Sequence, residues 1–273
     1  MYREYYRLQE EPFTITPDPR YLYLTEQHRE AMNHLLYGVR QRKGFICLTG
    51  EVGAGKTTLC RALLKELGDT CQTALILNPM LTETQMIRAI VEEFGIRTNR
   101  KDRLGYLQLL NEFLLRISSY GRDAVLIIDE AQDMTIQCLE MVRLLSNLET
   151  ERQKLLQIVL VGQPELRTTL HNPALRQLAQ RITVRYHLKT MSAEDTAGYI
   201  RHRLKVAGQD DSDQNAVRFD YGAVREIFRY SNGTPRMINA ISDKALLAGY
   251  VYRTTTIDRG IVQVALNELK EAG

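Results

Sequence analysis

The sequence predicts an α/β fold: a five-stranded parallel sheet clothed by helices, followed by a small all-helical domain. Two observations carry this. Short apolar runs at 44–50, 73–78, 124–129, 156–162 and 182–188 alternate with segments of helical periodicity. Strands buried on both faces between helices appear as such continuous runs, and the alternation implies parallel pairing. Beyond residue 189 the strand signal stops and only helical periodicity remains.

Taken in order, a helical pattern at 25–41 precedes the first strand, "GFICLTG". A second helix, 56–68, follows a glycine-rich turn, with Gly68 as its stop. Helices at 82–95 and 104–119 separate the second strand, "TALILN", from the third, "AVLIID". One at 135–149 leads to "LQIVLVG", and the fifth strand, "ITVRYHL", closes the sheet. Ser192 is placed to cap a helix at 192–208. A polar connector, 208–215, leads to helical patterns at 219–233, 234–250 and 257–272. The expected divisions are a leading segment and helix (1–43), an α/β core (44–189) and a helical lid (190–273).

The 273 residues suffice for one large domain or two smaller ones. Apolar content of 44% and charged content of 25% are those of an ordinary globular protein. A net charge of +3 does not demand nucleic acid. No apolar run approaches the roughly 18 residues that span a bilayer. The opening "MYREYYRLQEEPF" is unlike a secretory signal, so the expected compartment is intracellular. Cys47, Cys60, Cys71 and Cys138 form neither a CxxC pair nor a zinc-like spacing. They are expected to be reduced core residues.

The first strand runs into "LTGEVGAGKTTLCRALL". Gly50, Glu51, Val52, Gly53, Ala54, Gly55, Lys56 and Thr57 fit G-x-x-x-x-G-K-[ST], in the strand-to-helix context the motif requires. Glycines weaken neighbouring elements, but they let successive N–H groups converge into a nest for phosphate oxygens. The helix N-terminus adds partial positive charge. Lys56 is placed to reach the β- and γ-phosphates and Thr57 to put its hydroxyl on Mg²⁺, with Thr58 next in the first turn. The expected ligands are ATP and Mg²⁺. An ordinary glycine turn with a surface lysine is the plain alternative, and the flanking elements argue against it.

The third strand ends in Asp129-Glu130, within "AVLIIDEAQ". Carboxylates there stand at the edge where open α/β sheets bind ligands. Asp129 suits Mg²⁺, directly or through water, and Glu130 suits the base that orients or deprotonates a water. The alternative is an acidic helix start.

With these motifs and the helical C-terminal part, the chain resembles the AAA+ ATPases. "GTPRMINAISDKALLAG" resembles their sensor 2 segment, which implies that Arg236 reaches the γ-phosphate. "NPALRQLAQRITVRYHL" resembles the segment bearing the arginine finger; Arg181 fits best, with Arg176 and Arg185 as competitors. For Arg236 or Arg181 a surface ion pair is the alternative. The sensor 1 position carries Gln163, where many members have Asn, Ser or Thr. Its amide can bond a lytic water or phosphate, or it simply starts a helix before Pro164.

The resemblance narrows with "EPFTITPDPRYLYLTEQHREAMNHLLYGV", "LIIDEAQ" and "VLVGQPEL", which are similar to the general secretion pathway A, or ExeA-type, family over nearly the whole chain. It implies an N-terminal segment lying against nucleotide, with Tyr21 and Tyr23 either flanking adenine or packed in a core. It further implies a homo-oligomer when ATP is bound and a B-type inner-membrane partner. Longer members add a membrane helix and a peptidoglycan-binding part, and the family works in assembly of the type II secretin. The location implied is the cytoplasmic face of the inner membrane. A DNA-binding regulator of the transposition-target-selector type is the competing function, with "RTNRKDR" (97–103) as its one compact basic cluster. A small-molecule kinase would share the glycine loop, but no acceptor pocket is readable.

Overall fold

A computed structural model describes residues 2–14, 18–150, 153–210, 212–213 and 216–271. Residues 15–17 of the N-terminal signature, 211, 214 and 215 of the connector, and 272 of the last helical pattern lie outside them. The chain forms two compact units: Glu26–Gly50 with Leu59–Leu188, and Met1–Thr25 with Glu51–Thr58 and Lys189–Gly273. The stretch 1–43 thus divides at Thr25.

In the first unit, β1 (Phe45–Gly50), β2 (Cys71–Ile76), β3 (Asp123–Ile128), β4 (Leu156–Gly162) and β5 (Ile182–Leu188) form one sheet in the order β2-β3-β4-β1-β5. Every neighbouring pair is parallel. The runs are apolar throughout because both faces are covered. Phe45, Cys47, Leu126 and Ile158 point to the side where Ile90, Leu110 and Leu139 come from the helices Glu83–Glu93, Arg103–Ser119 and Ile136–Leu145. The alternate residues Ile46, Leu48, Val125 and Val159 are fully buried on the other side.

Helix starts follow local chemistry. Thr82 and Gln85 make a reciprocal capping box, Asp102 accepts from the Gly105 N–H, and Thr135 accepts from the Cys138 N–H. Gly68, at φ +52°, stands just after the helix Lys56–Leu67. Two short helices, Pro164–Leu170 and Arg176–Arg181, fall in a stretch left unassigned by periodicity, since neither completes enough turns to show one.

The four thiols are free, and Cys47, Cys60 and Cys138 are buried while Cys71 is half-buried. Burial pushes the Cys47 and Cys138 thiols up to about 11. The thiolate is the reactive form, so a disulfide reagent at neutral pH is expected to label Cys71 first. The others should react only on unfolding. Fast modification of Cys47 or Cys138 in the native chain would show that this packing is wrong.

In the second unit the helices Ala193–Val206, Tyr221–Ser231, Pro235–Val251 and Arg259–Glu271 surround Ile200, Leu204, Ile227, Ile238, Ile241, Leu246, Val262 and Leu266. Ser192 caps the first in a reciprocal box with Asp195. A parallel ribbon of β6 (Arg218–Phe219) and β7 (Thr256–Ile257) lies among them. Two-residue strands carry no alternation, so no sequence signal announces them.

The N-terminal segment is built into this unit. Tyr6, Leu8 and Phe13 join its core. The Tyr2 hydroxyl donates to Asp243 at 2.6 Å, and the Gln9 N–H to the Ala207 carbonyl at 2.8 Å. Arg203, buried, donates to the carbonyls of Pro12 and Thr14 and stacks on Tyr21, 4.3 Å from the ring centre. Tyr23 meets Tyr199 edge-on at 6.2 Å, over Gly198, where a Cβ would lie 2.2 Å from the Tyr23 hydroxyl. Both tyrosines are therefore engaged in packing, and burial beside Glu10 pushes the Tyr21 phenol up to about 12.

Candidate functional site

The strand order reverses at β1 and β4, so the carboxyl ends of these two strands form the topological switch point. Thr49 pairs with Gly162 there. Gly50 is a steric requirement: a Cβ would lie 2.6 Å from the Leu188 carbonyl oxygen of β5.

The loop that continues from Gly50 turns through two left-handed glycines, Gly53 (φ +74°) and Gly55 (φ +95°). Within it the Ala54 N–H donates to the Glu51 carbonyl at 3.1 Å. Lys56 opens the helix Lys56–Leu67, is buried, and curls its ammonium back onto the Glu51 carbonyl at 2.9 Å. Glu51 and Val52 are exposed, while Thr57 and Thr58 are half-buried in the first helical turn. Gly53 lies against the start of the helix Pro235–Val251: a Cβ on it would come within 2.7 Å of the Arg236 Cβ and 3.2 Å of the Thr234 methyl. The structure thus seats Arg236 against the glycine loop.

Asp129 and Glu130 follow β3. Asp129 is buried; its N–H donates to the Ile76 carbonyl at 2.8 Å and its carboxylate accepts from the Glu130 N–H at 2.9 Å. Glu130 is left-handed, at φ 50° and ψ 37°, a conformation that a non-glycine residue adopts only when its surroundings impose it. Its Oε2 accepts from the Gln132 side-chain amide at 2.7 Å and from the Gln163 amide at 3.3 Å. The Gln132 Oε1 in turn accepts from the Gln163 backbone N–H at 3.0 Å. Gly162 leaves room for this, since a Cβ would lie 2.8 Å from that oxygen. Gln163 occupies the N-cap of the helix Pro164–Leu170 without a side-chain cap bond. Its side chain is thereby directed to Glu130. Gln132 is the residue that sequence reasoning passed over; its signal was only its place in "DEAQ".

The three arginines of the finger segment differ. Arg181 donates to Ser146 and Asn147, just past the helix Ile136–Leu145. Arg185 is exposed and donates to the Ala179 carbonyl at 2.7 Å. Arg176 is exposed; its N–H donates to the Pro173 carbonyl, and its side chain makes no hydrogen bond or ion pair among the described residues.

Comparison with known proteins places this geometry. A family profile described as an AAA domain matches residues 39–170. General secretion pathway protein A of Aeromonas hydrophila is 45% identical over 272 residues, which is 98% of this chain and 48% of that protein. The chain thus spans about half the length of the relative it matches. Among solved structures, the ORC2 protein of Aeropyrum pernix in its ADPNP–ADP complexes superposes with a TM-score of 0.69 at 16% identity, covering 95% of this chain and 71% of that one. The RuvB Holliday junction branch migration motor of Thermotoga maritima gives 0.58 at 19% identity, over 90% and 69%. At such identities these likenesses speak for the fold alone. Among the described residues no helix is long and apolar enough to cross a membrane. Taken with the glycine loop and the Asp-Glu pair after β3, the AAA domain match identifies the fold as a P-loop AAA+ core, and over 98% of its length the chain is similar to general secretion pathway protein A.

Proposed function

We propose that this chain binds ATP with Mg²⁺ and hydrolyses it, and that hydrolysis drives assembly of a secretion complex in the cell envelope. The observation that carries the chemistry is the carboxylate pair after β3: Asp129 buried, and Glu130 held left-handed with two amides on one carboxylate oxygen. The roles follow from chemistry. Residues 50–58 would cradle phosphates, with Lys56 as the mobile cation, and Thr57 and Asp129 would supply hard oxygen ligands to Mg²⁺. Among the described residues no three acidic, imidazole or thiol side chains gather as a metal cage. That suits an ion held largely by phosphate oxygens and water. Glu130 would act as the base and Gln163 as the sensor of water or γ-phosphate. Arg236 would read the γ-phosphate, and Arg181, Arg176 or Arg185 would complete a neighbour's site in a homo-oligomer.

The secretion role rests on the 45% identity to general secretion pathway protein A. By that likeness the chain would work at the cytoplasmic face of the inner membrane with a B-type partner. Peptidoglycan would be bound by the part of such proteins outside this span. The DNA-binding alternative is weaker. In its basic stretch Arg100 is bonded to Gln108 and Arg103 is paired with Glu83 at 2.6 Å, so two of its cations are already engaged.

Phosphate release from ATP tests the reading. Turnover is expected with Mg²⁺, to vanish with a chelator, and to rise per subunit as protein concentration rises. No turnover at any concentration would remove the hydrolytic role.

A further inference from the structure

We propose that Gln132 is a positioning residue for Glu130, tying the base to the end of β4; the proposal rests on the hydrolytic reading above. The amide of Gln132 is used at both ends. Its nitrogen donates to the Glu130 Oε2 at 2.7 Å, and its oxygen accepts the Gln163 N–H at 3.0 Å. That N–H belongs to the first residue after β4. It is also the N-cap of the helix Pro164–Leu170, where it has no acceptor within the helix. Gln132 therefore satisfies a helix-end donor and orients a carboxylate with one planar group.

Three further features point the same way. Gly162 clears the space the Gln132 oxygen occupies. The left-handed backbone at Glu130 turns the chain so that residues 130 and 132 face each other across the short turn Ala131–Asp133. The Gln163 side chain reaches the same carboxylate oxygen, at 3.3 Å. A displacement of the β4 terminus, where Gln163 would meet substrate, must then be felt at Glu130 through two routes, one through backbone and one through side chain. Gln132 does not touch the reacting atoms; it acts by fixing the carboxylate that does.

The test is a mutant cycle on the full chain, read as kcat and KM for ATP and as affinity for a fluorescent ATP analogue. Gln132→Ala, and the longer apolar Gln132→Met, are expected to lower kcat about 10- to 100-fold, the range for losing a hydrogen bond to a charged group. KM, analogue affinity and melting temperature should stay close to parental. In a Glu130→Ala background, Gln132→Ala should cost nothing further, because the group it positions is gone. A parental or raised kcat in Gln132→Ala, beside an inactive Glu130→Gln, overturns this proposal alone. So does an equal fractional loss in the Glu130→Ala background, or a loss confined to KM. Absence of parental turnover, or parental turnover in Glu130→Gln, overturns the hydrolytic reading and this proposal with it.

Discussion

Lys56→Ala is expected to lose ATP binding, while Glu130→Gln binds ATP and holds it. The two variants separate the parts of the site by charge. Lys56 is buried at the opening of its helix, with its ammonium resting on a loop carbonyl. A cation some 4 Å from a phosphate charge at an effective dielectric near 20 is worth about 4 kcal/mol, on the order of 10³ in Kd. The left-handed glycines and the helix N-terminus remain in the variant, but amide dipoles alone do not replace a full charge. Calorimetric titration with a non-hydrolysable analogue reads this directly, and near-parental affinity in Lys56→Ala would refute the phosphate role. Glu130→Gln keeps the side-chain length but removes the base, so turnover should fall by roughly 10²- to 10⁴-fold. Bound nucleotide recovered as ATP rather than ADP would be the signature.

The second large effect is expected from the arginines. A finger supplied by a neighbouring subunit is worth roughly 10³ to 10⁵ in rate where such fingers have been measured. Arg181→Ala should therefore leave nucleotide affinity nearly intact and depress the assembled rate by that order. In the isolated chain Arg181 is tied to Ser146 and Asn147, so its use on a neighbour requires it to exchange those partners. Mixing Arg181→Ala with Lys56→Ala subunits is decisive. A mixed interface can join an intact loop from the first with an intact finger from the second, and part of the activity should return. If co-assembled mixtures stay inactive, Arg181 is excluded. The exposed Arg176 and Arg185 then take its place in the same assay.

Much of this was legible because the relevant signals are local. Continuous apolar runs marked the strands of the parallel sheet, since burial on both faces erases alternation. Ser192 marked a helix start by side-chain capping, which acts over three residues, and Thr82, Asp102 and Thr135 cap their helices by the same local chemistry. The less legible features depend on residues distant in sequence. The Gln132 bond to the Gln163 N–H joins two motifs that each look complete alone. Gly162 gave no hint that it makes room for a glutamine oxygen. Tyr21 and Tyr23 had two readings because an aromatic ring suits adenine and protein equally. Only the buried Arg203 beneath Tyr21, and Gly198 beneath Tyr23, show that both rings pack against the helix Ala193–Val206.

The way residues 2–14 are fastened has a consequence for biosynthesis. Tyr2 reaches Asp243, Tyr6 reaches the carbonyls of Leu246 and Thr254, and Arg203 holds Pro12 and Thr14. These partners are translated after the entire sheet between them. The strand-bearing unit can close as soon as β5 leaves the ribosome, whereas the helical unit must wait for the residues from Lys189 onward. During that interval Tyr2, Tyr5, Tyr6 and Phe13 have no core to enter, and contacts of such long sequence separation form slowly. The nascent chain therefore carries an aromatic, adhesive segment at residues 2–13 until the helix Pro235–Val251 is made, and that interval is when a chaperone has something to hold.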